Sequence, residues 1–231
     1  MIHNDGLENI EEAFKKLNKE AIIYKSHKKK LINIRYKTID YCRKNNYKYI
    51  IFGDSDDIFD KNRVSVLKEK LKKYELVVND ISIINNKNEI TLKNVFSTRL
   101  SNNLSININN ITNYNFIGFT NSAFSVNVIP QYLDYNNNIV AVDWHFFSQL
   151  LSNNINAIFT SDTISLYRQH DNNIGSLLVN HNNKNIDKID YVKKVRNLHF
   201  ESIKKLEICI SDSHNKEKNL NKEKINFWWE L

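Results

Sequence analysis

The chain has 231 residues, of which 41% are hydrophobic, and it carries a formal charge of +7. This composition provides for one large domain with a buried core and excludes an intrinsically disordered protein. The basic residues fall in short clusters on predicted helix surfaces, so they do not indicate a nucleic-acid-binding face. Two cysteines far apart in the sequence provide neither a disulfide framework nor a cysteine metal site.

Targeting signals are also missing from the sequence. No apolar run approaches the ~18 residues that a membrane span needs, and the N-terminus lacks the pattern of a signal peptide. We therefore expect a cytoplasmic protein. The C-terminal segment "INFWWEL" could dock at the inner face of a membrane, or it could cover the core of its own domain.

Predicted helices and strands alternate through the first half of the chain. Apolar spacing predicts helices over residues 7–19, 29–46 and 61–74. In the second of these helices Leu31, Ile34 and Thr38 share the buried face, and Asp60 can cap the third. Short apolar runs predict strands over residues 21–25, 49–52 and 75–84, followed by a hairpin return over 86–92. The alternation favours an α/β fold in which helices flank a mixed, largely parallel sheet.

The second half begins with an irregular stretch. Residues 93–115 are rich in Asn and Ser and predict a long connection with small irregular elements. The segment "DWHFFSQLL" predicts a helix that begins near Asp143, and "NAIFTS" and "TISLYRQH" predict two short strands. We expect one domain over residues 1–184, with a helical C-terminal extension over residues 185–231 packed on it.

A cluster of carboxylates follows the strand predicted at residues 49–52. Asp54, Asp56 and Asp57 occupy three of four positions in "DSDD", at the sheet edge where ligands bind in open α/β sheets. Carboxylates this close repel one another unless a cation or hydrogen bonds compensate them. Mg²⁺ or Mn²⁺ fits, because such ions bind few protein carboxylates and keep positions for phosphate oxygens. The alternative is a helix-entry turn in which Asp57 or Asp60 acts as a cap.

Two enzyme classes place an Asp-x-Asp motif directly after an apolar strand. In the haloacid-dehalogenase-like phosphatases the first Asp is a nucleophile, and Thr or Val occupies the position where this chain has Ile58. In the nucleotide-sugar glycosyltransferases the motif holds a diphosphate through a metal ion. Later motifs favour the second class.

Four stretches carry a resemblance to the family-2 glycosyltransferases, which have a GT-A fold. They are "IRYKTIDYCRKNNYKYIIFGDSDDIF", "FIGFTNSAFS", "VDWHFFSQLLSNNINAIFTSDTISLYRQHDNNIGS" and the terminal "NFWWEL". Together they span most of the chain from about residue 33 onward. Their order and spacing, more than any single motif, resemble those of the family.

The resemblance implies roles for individual residues. Asp143 matches the catalytic base, and Asp56, Asp54 and His170 match a metal site, with Asp57 as a further member. Contacts with the donor are implied for five residues: Asp5, Arg35, Asp54, Gly118 and Arg168. Alternatives stay open: Asp143 as a helix cap, Arg35 on a solvated helix face, Arg168 paired with a carboxylate, and His170 as a surface histidine.

The resemblance also implies a reaction. The enzyme would transfer a sugar, with inversion, from a nucleotide-sugar donor, which we expect to be a UDP-sugar, to a saccharide or lipid-linked acceptor. Mg²⁺ or Mn²⁺ would be the cofactor. The reaction would belong to surface polysaccharide or glycoconjugate synthesis. The start of this chain, "IHNDGLEN", resembles the end of the family's second strand, so we expect the family's first strand and helix to be lacking. An inactive remnant or nucleotide-sugar-binding module, and a metal-dependent phosphatase, are the alternatives.

Overall fold

The structure is a computed structural model, and it describes residues 1–4, 8–18, 21–25, 30–169 and 186–205. A two-stranded parallel sheet contains β1 (Ile2–Asn4) and β2 (Ile23–Lys25). A seven-stranded sheet contains β3 (Tyr49–Ile51), β4 (Ile58–Phe59), β5 (Leu76–Ile84), β6 (Ile90–Leu92), β7 (Ser105–Ile106), β8 (Ser122–Ser125) and β9 (Ala157–Arg168).

Five α-helices accompany these strands within the described residues. They are α1 (Ile10–Lys16), α2 (Leu31–Lys44), α3 (Arg63–Lys70), α4 (Val142–Leu151) and α5 (Ile186–Lys205). Short 3-10 turns lie at Ile108–Ile111, Phe119–Asn121 and Val126–Val128. The predicted α/β fold and the C-terminal helix are therefore confirmed. No helix in the described ranges has both the length and the apolar character needed to cross a bilayer.

The large sheet is mixed, but its pairing differs from the expectation. Its order is β3-β8-β5-β9-β4, with β6 beside β5 and β7 beside β9. Among its described strands, β5 and β9 run parallel while the other pairs are antiparallel. The expected predominance of parallel pairs is thus corrected. Short connections such as the β5–β6 hairpin allow only antiparallel neighbours.

Strand β9 joins two segments that the sequence predicts as separate strands. Its register against β5 moves from Thr160 opposite Asn79 to Ile164 opposite Asp80. A β-bulge of this kind absorbs extra residues without ending the strand. One continuous twelve-residue strand therefore carries both the core pairing and, at its end, Arg168.

The core lies between the sheet and the helices. All nine residues of β5 are buried, and Phe119, Phe124, Phe146 and Phe147 pack against one another with ring centroids 5.1–6.1 Å apart. Nine of the ten residues of helix α4 are buried, as expected for a helix enclosed by other elements. Helix α5 covers it, and its His199 ring stacks on Trp144 at 4.1 Å.

Two local predictions are corrected. The buried face of α2 contains Ile32, Tyr36, Thr38 and Ile39, while Leu31 is 41% exposed. Asp60 does not cap α3. That helix begins after Asn62, and the Asp60 carboxylate instead accepts a hydrogen bond from the backbone N–H of Ile164 at 3.0 Å.

Candidate active site

The carboxylate loop, residues 54–57, follows β3 at its carboxyl end. Phe52, two positions before the loop, is buried, and the N–H of Asp57 donates to the carbonyl of Asp54 at 3.2 Å, which closes a tight turn. The chain then enters β4, whose pairing with β9 fixes the far side of the loop. The position predicted for these carboxylates, at a sheet edge, is the one that the structure shows.

Asp57 ties this loop to two distant segments. Its carboxylate accepts the hydroxyl of Thr120, and it accepts the backbone N–H of Arg168 at 2.8 Å. Burial raises the pKa of Asp57 to about 6, although both hydrogen bonds favour the carboxylate form. Because its oxygens already have protein donors, Asp57 anchors the loop. It is not the helix cap of the alternative interpretation.

Arg168 holds the same loop from its other side. Its Nε donates to the carbonyl of Asp56 at 2.6 Å, while Nη1 and Nη2 donate to Asn85 O at 2.8 Å and Asn88 Oδ1 at 2.6 Å. The guanidinium thus clamps the loop to the β5–β6 turn. The donor-binding role of Arg168 stays a prediction, as does pairing of its side chain with a carboxylate.

Arg35 reaches the loop from α2. Its side chain is 14% exposed and forms an ion pair with Asp54, whose side chain is 36% exposed. The guanidinium also lies 5.3 Å from the ring centroid of Phe52 and 5.1 Å from that of Phe119, within the range of cation–π attraction. Arg35 therefore lies against the carboxylate loop, and the alternative of a solvated helix face is excluded.

Asp143 lies in the first turn of α4 and close to the same charges. The residue before the helix is Ala141, so Asp143 is not the cap; its Oδ1 accepts the N–H of Trp144 at 2.7 Å. Burial raises the pKa of Asp143 to about 6; the positive charge of Arg35 opposes this rise, and the negative charge of Asp54 adds to it. A Cβ at Gly118 would lie 3.6 Å from Asp143 Oδ2, so this glycine keeps space beside the carboxylate.

Sequence reasoning assigned no role to Tyr167, Thr120 or Arg63. Burial first, and then the charges of the surrounding carboxylates, raise the pKa of Tyr167, so its phenol keeps its proton at neutral pH. The alternation of β9 could have indicated this residue, since Thr163, Ser165 and Tyr167 share one face of the strand. Thr120 and Arg63 depend on contacts between distant segments, which no local pattern shows.

The loop also fits a divalent cation. Among the described residues no three His, Cys, Asp or Glu side chains are grouped to enclose a metal ion. Mg²⁺ and Mn²⁺ need only one or two protein carboxylates when substrate phosphates complete their shell. Asp54 and exposed Asp56 supply such oxygens, which suits an ion shared with a diphosphate. His170 and Asp5 lie outside the described residues, as do Cys209 and the "INFWWEL" segment.

Comparison with known proteins agrees with this geometry. The model of the family described as glycosyl transferase family 2 matches residues 3–133, more than half of the chain. The chain therefore belongs to glycosyltransferase family 2 and is a glycosyltransferase. Its α/β sheet flanked by helices is consistent with a GT-A-like fold, and the assignment favours glycosyl transfer over the phosphatase alternative.

The remaining comparisons add little. No curated protein matches the chain significantly. Among solved structures, the crystal structure of A197 from STIV is similar, with 14% identity and a TM-score of 0.42, covering 71% of this chain and 81% of that one. The matched family region contains Arg35, the carboxylate loop and Gly118, whereas Asp143 and Arg168 lie beyond it.

Proposed function

We propose that this glycosyltransferase moves a sugar, with inversion, from a UDP-sugar to a hydroxyl of a saccharide or lipid-linked acceptor, as in surface polysaccharide or glycoconjugate synthesis. The observation that supports it is the meeting of Asp143 from α4, Arg35 from α2 and Asp54 from the loop after β3. Arg35 and Asp54 form an ion pair. Burial raises the pKa of Asp143, while the positive charge of Arg35 lowers it and the negative charge of Asp54 raises it. Three separate elements thus supply a base, a cation and a carboxylate to one site.

Asp143 has the properties of a general base. With a pKa of about 6 it is ionised at neutral pH, yet it accepts a proton more readily than an ordinary Asp. In an inverting transfer the acceptor hydroxyl attacks the anomeric carbon on the face opposite the nucleotide. The hydroxyl proton passes to the Asp143 carboxylate, and the nucleoside diphosphate leaves with the electron pair of the broken bond.

The other side of the site would receive the leaving diphosphate. Asp54 and Asp56 would hold Mg²⁺ or Mn²⁺, with His170 proposed as a further ligand, and such an ion, when bound, stabilises the negative charge that develops on the diphosphate. Arg35 would contribute a second positive charge there. Gly118 leaves room beside Asp143. Asp5 and Arg168 complete the set of proposed donor contacts.

The test combines binding with turnover. We expect calorimetry to show UDP binding that requires MnCl₂ and is removed by EDTA, and UDP release from a panel of UDP-sugars to be abolished in Asp143→Asn. Asp162→Asn is the matched control, because Asp162 pairs with Lys70 at 2.8 Å on the far part of β9. Absence of metal-dependent UDP binding by the wild-type chain would refute the proposal. Binding without any Asp143-dependent turnover would indicate a nucleotide-sugar-binding module.

A further inference from the structure

Arg63 is a buried cation beneath the candidate active site. It is the first residue of α3 and is 3% exposed. Its Nε donates to Asn79 Oδ1 at 3.1 Å, its Nη1 to the carbonyl of Phe52 at 3.0 Å, and its Nη2 to the carbonyl of Thr120 at 2.8 Å. The ring of Phe59 lies 4.6 Å from the guanidinium carbon. All three nitrogens of the guanidinium therefore have an acceptor.

A charge in this position needs an explanation. Burial lowers the pKa of Arg63 to about 10, and the charge of Asp57 opposes that change, so the side chain remains charged at neutral pH. Removing a cation from water is unfavourable, and an apolar residue often serves equally well in a core. The three directed hydrogen bonds to fixed acceptors distinguish this residue from a packing residue.

The two carbonyls that Arg63 binds belong to opposite sides of the site. Phe52 stands two positions before Asp54, at the entrance of the carboxylate loop. Thr120 gives its hydroxyl to Asp57 and stands two positions after Gly118, the residue beside Asp143. One planar guanidinium thus fixes the spacing between the loop and the segment that adjoins the base.

We propose that Arg63 is a positioning residue for glycosyl transfer, holding the carboxylate loop and the Gly118–Thr120 segment at the spacing that aligns donor and base. The inference rests on the proposed roles of that loop and of Asp143. Lysine cannot replace this arrangement, because one ammonium on a flexible stem does not reproduce the rigid fork of a guanidinium.

The test compares Arg63→Lys with Arg43→Lys. Arg43 is a matched control: it also bridges carbonyls, donating to Pro130 O at 2.7 Å and Gln131 O at 3.4 Å, but at the end of α2. Hydrogen–deuterium exchange reports on position without any ligand. We expect Arg63→Lys to speed exchange at least tenfold at the amides of Asp57, Gly118 and Asn121. Arg43→Lys should leave those amides within about twofold of the wild type.

Turnover provides the second readout. We expect kcat for UDP release at saturating UDP-sugar to fall about 10- to 100-fold in Arg63→Lys, the range typical for residues that orient ligating groups. Calorimetry with UDP and MnCl₂ separates positioning from folding. A folding role alone would lower the bound fraction and leave kcat per binding-competent molecule unchanged, whereas positioning lowers kcat per competent molecule.

Two outcomes overturn the inference. One is unchanged exchange at all three amides; the other is kcat per competent molecule within about threefold of the wild type. If Arg63→Lys does not fold, the same two measurements are made on Phe59→Leu. This variant removes the ring that lies over the guanidinium and leaves Arg63 in place. A wild-type chain that neither binds UDP with MnCl₂ nor turns over donor refutes the proposed function, while exchange still decides the role of Arg63.

Discussion

Replacing Asp143 with Asn should stabilise the protein while it abolishes transfer. The folded protein raises the pKa of this carboxyl from 3.8 to about 6, chiefly by burial, so the folded state disfavours the charged form. At about 1.4 kcal/mol for each unit of pKa, this difference corresponds to about 3 kcal/mol as an upper value. Asn has the shape of the protonated side chain and can still accept the N–H of Trp144.

The sign of the effect depends on pH. Between about pH 4 and pH 6 the folded wild type binds more protons at Asp143 than the unfolded chain does, so its stability falls as the pH rises. Above pH 6 the wild type carries the full destabilisation from charged, buried Asp143, and below pH 4 this destabilisation disappears. At pH 7.5 we therefore expect Asp143→Asn to be up to about 3 kcal/mol more stable. For a chain of this size that raises Tm by up to about 6–12 °C.

Urea denaturation followed by circular dichroism, at pH 4.5 and at pH 7.5, measures this difference directly. The gain should be small at pH 4.5 and large at pH 7.5. Asp162→Asn provides the control, because its carboxylate is partly exposed and paired with Lys70; this variant should show no gain. The reasoning is refuted if Asp143→Asn is no more stable than the wild type at pH 7.5, or if its gain is the same at both pH values.

Three further predictions concern turnover and binding. Below pH 6 we expect kcat/KM for UDP release to fall about tenfold per pH unit as Asp143 takes up a proton; a profile flat to pH 5 would contradict its role as base. In Gly118→Ala the new Cβ would lie 3.1 Å from Asn121 Oδ1 and 3.6 Å from Asp143 Oδ2. We expect kcat to be several-fold lower than in the wild type, while the affinity for UDP stays within about twofold. An equal loss of kcat and UDP affinity would argue against the placement of Gly118 beside the base. Arg35→Met removes the partner of Asp54, so calorimetry should show Mn²⁺ alone binding several-fold tighter and UDP with Mn²⁺ binding weaker; unchanged affinities would exclude Arg35 from the site.

The sequence predicted those parts of the fold that depend on local pattern. The apolar runs at β3 and β5 exist as strands, and the carboxylates follow β3 as expected. Strand direction was not predictable in the same way, because a short, fully buried apolar run occurs in both parallel and antiparallel strands. Similarly, the polar "TSDT" in β9 resembles a strand end, and the structure accommodates it as a bulge instead.

The site was predicted in part, for a similar reason. The order of the motifs resembles that of the family, and this resemblance indicated Asp54, Arg35 and Asp143. The structure brings these three residues close together. Arg63 stands beside Lys61 at the start of a charged helix, where a local pattern predicts a solvated cation. In the fold it is buried against hydrogen-bond acceptors that are distant in sequence, such as the carbonyl of Thr120, 57 positions further along the chain. Only the assembled fold defines such a residue.

The long separation between Asp57 and Arg168 also has a consequence for biosynthesis. The backbone hydrogen bond that secures the loop joins positions 111 residues apart, and β9 pairs with both β4 and β5. While the chain is being made, the loop therefore lacks the bonds from Arg168 until β9 has left the ribosome. Non-local pairing of this kind is slow to form. A nascent or prematurely terminated chain that lacks β9 therefore holds its carboxylate loop only from one side, through Thr120 and Arg35.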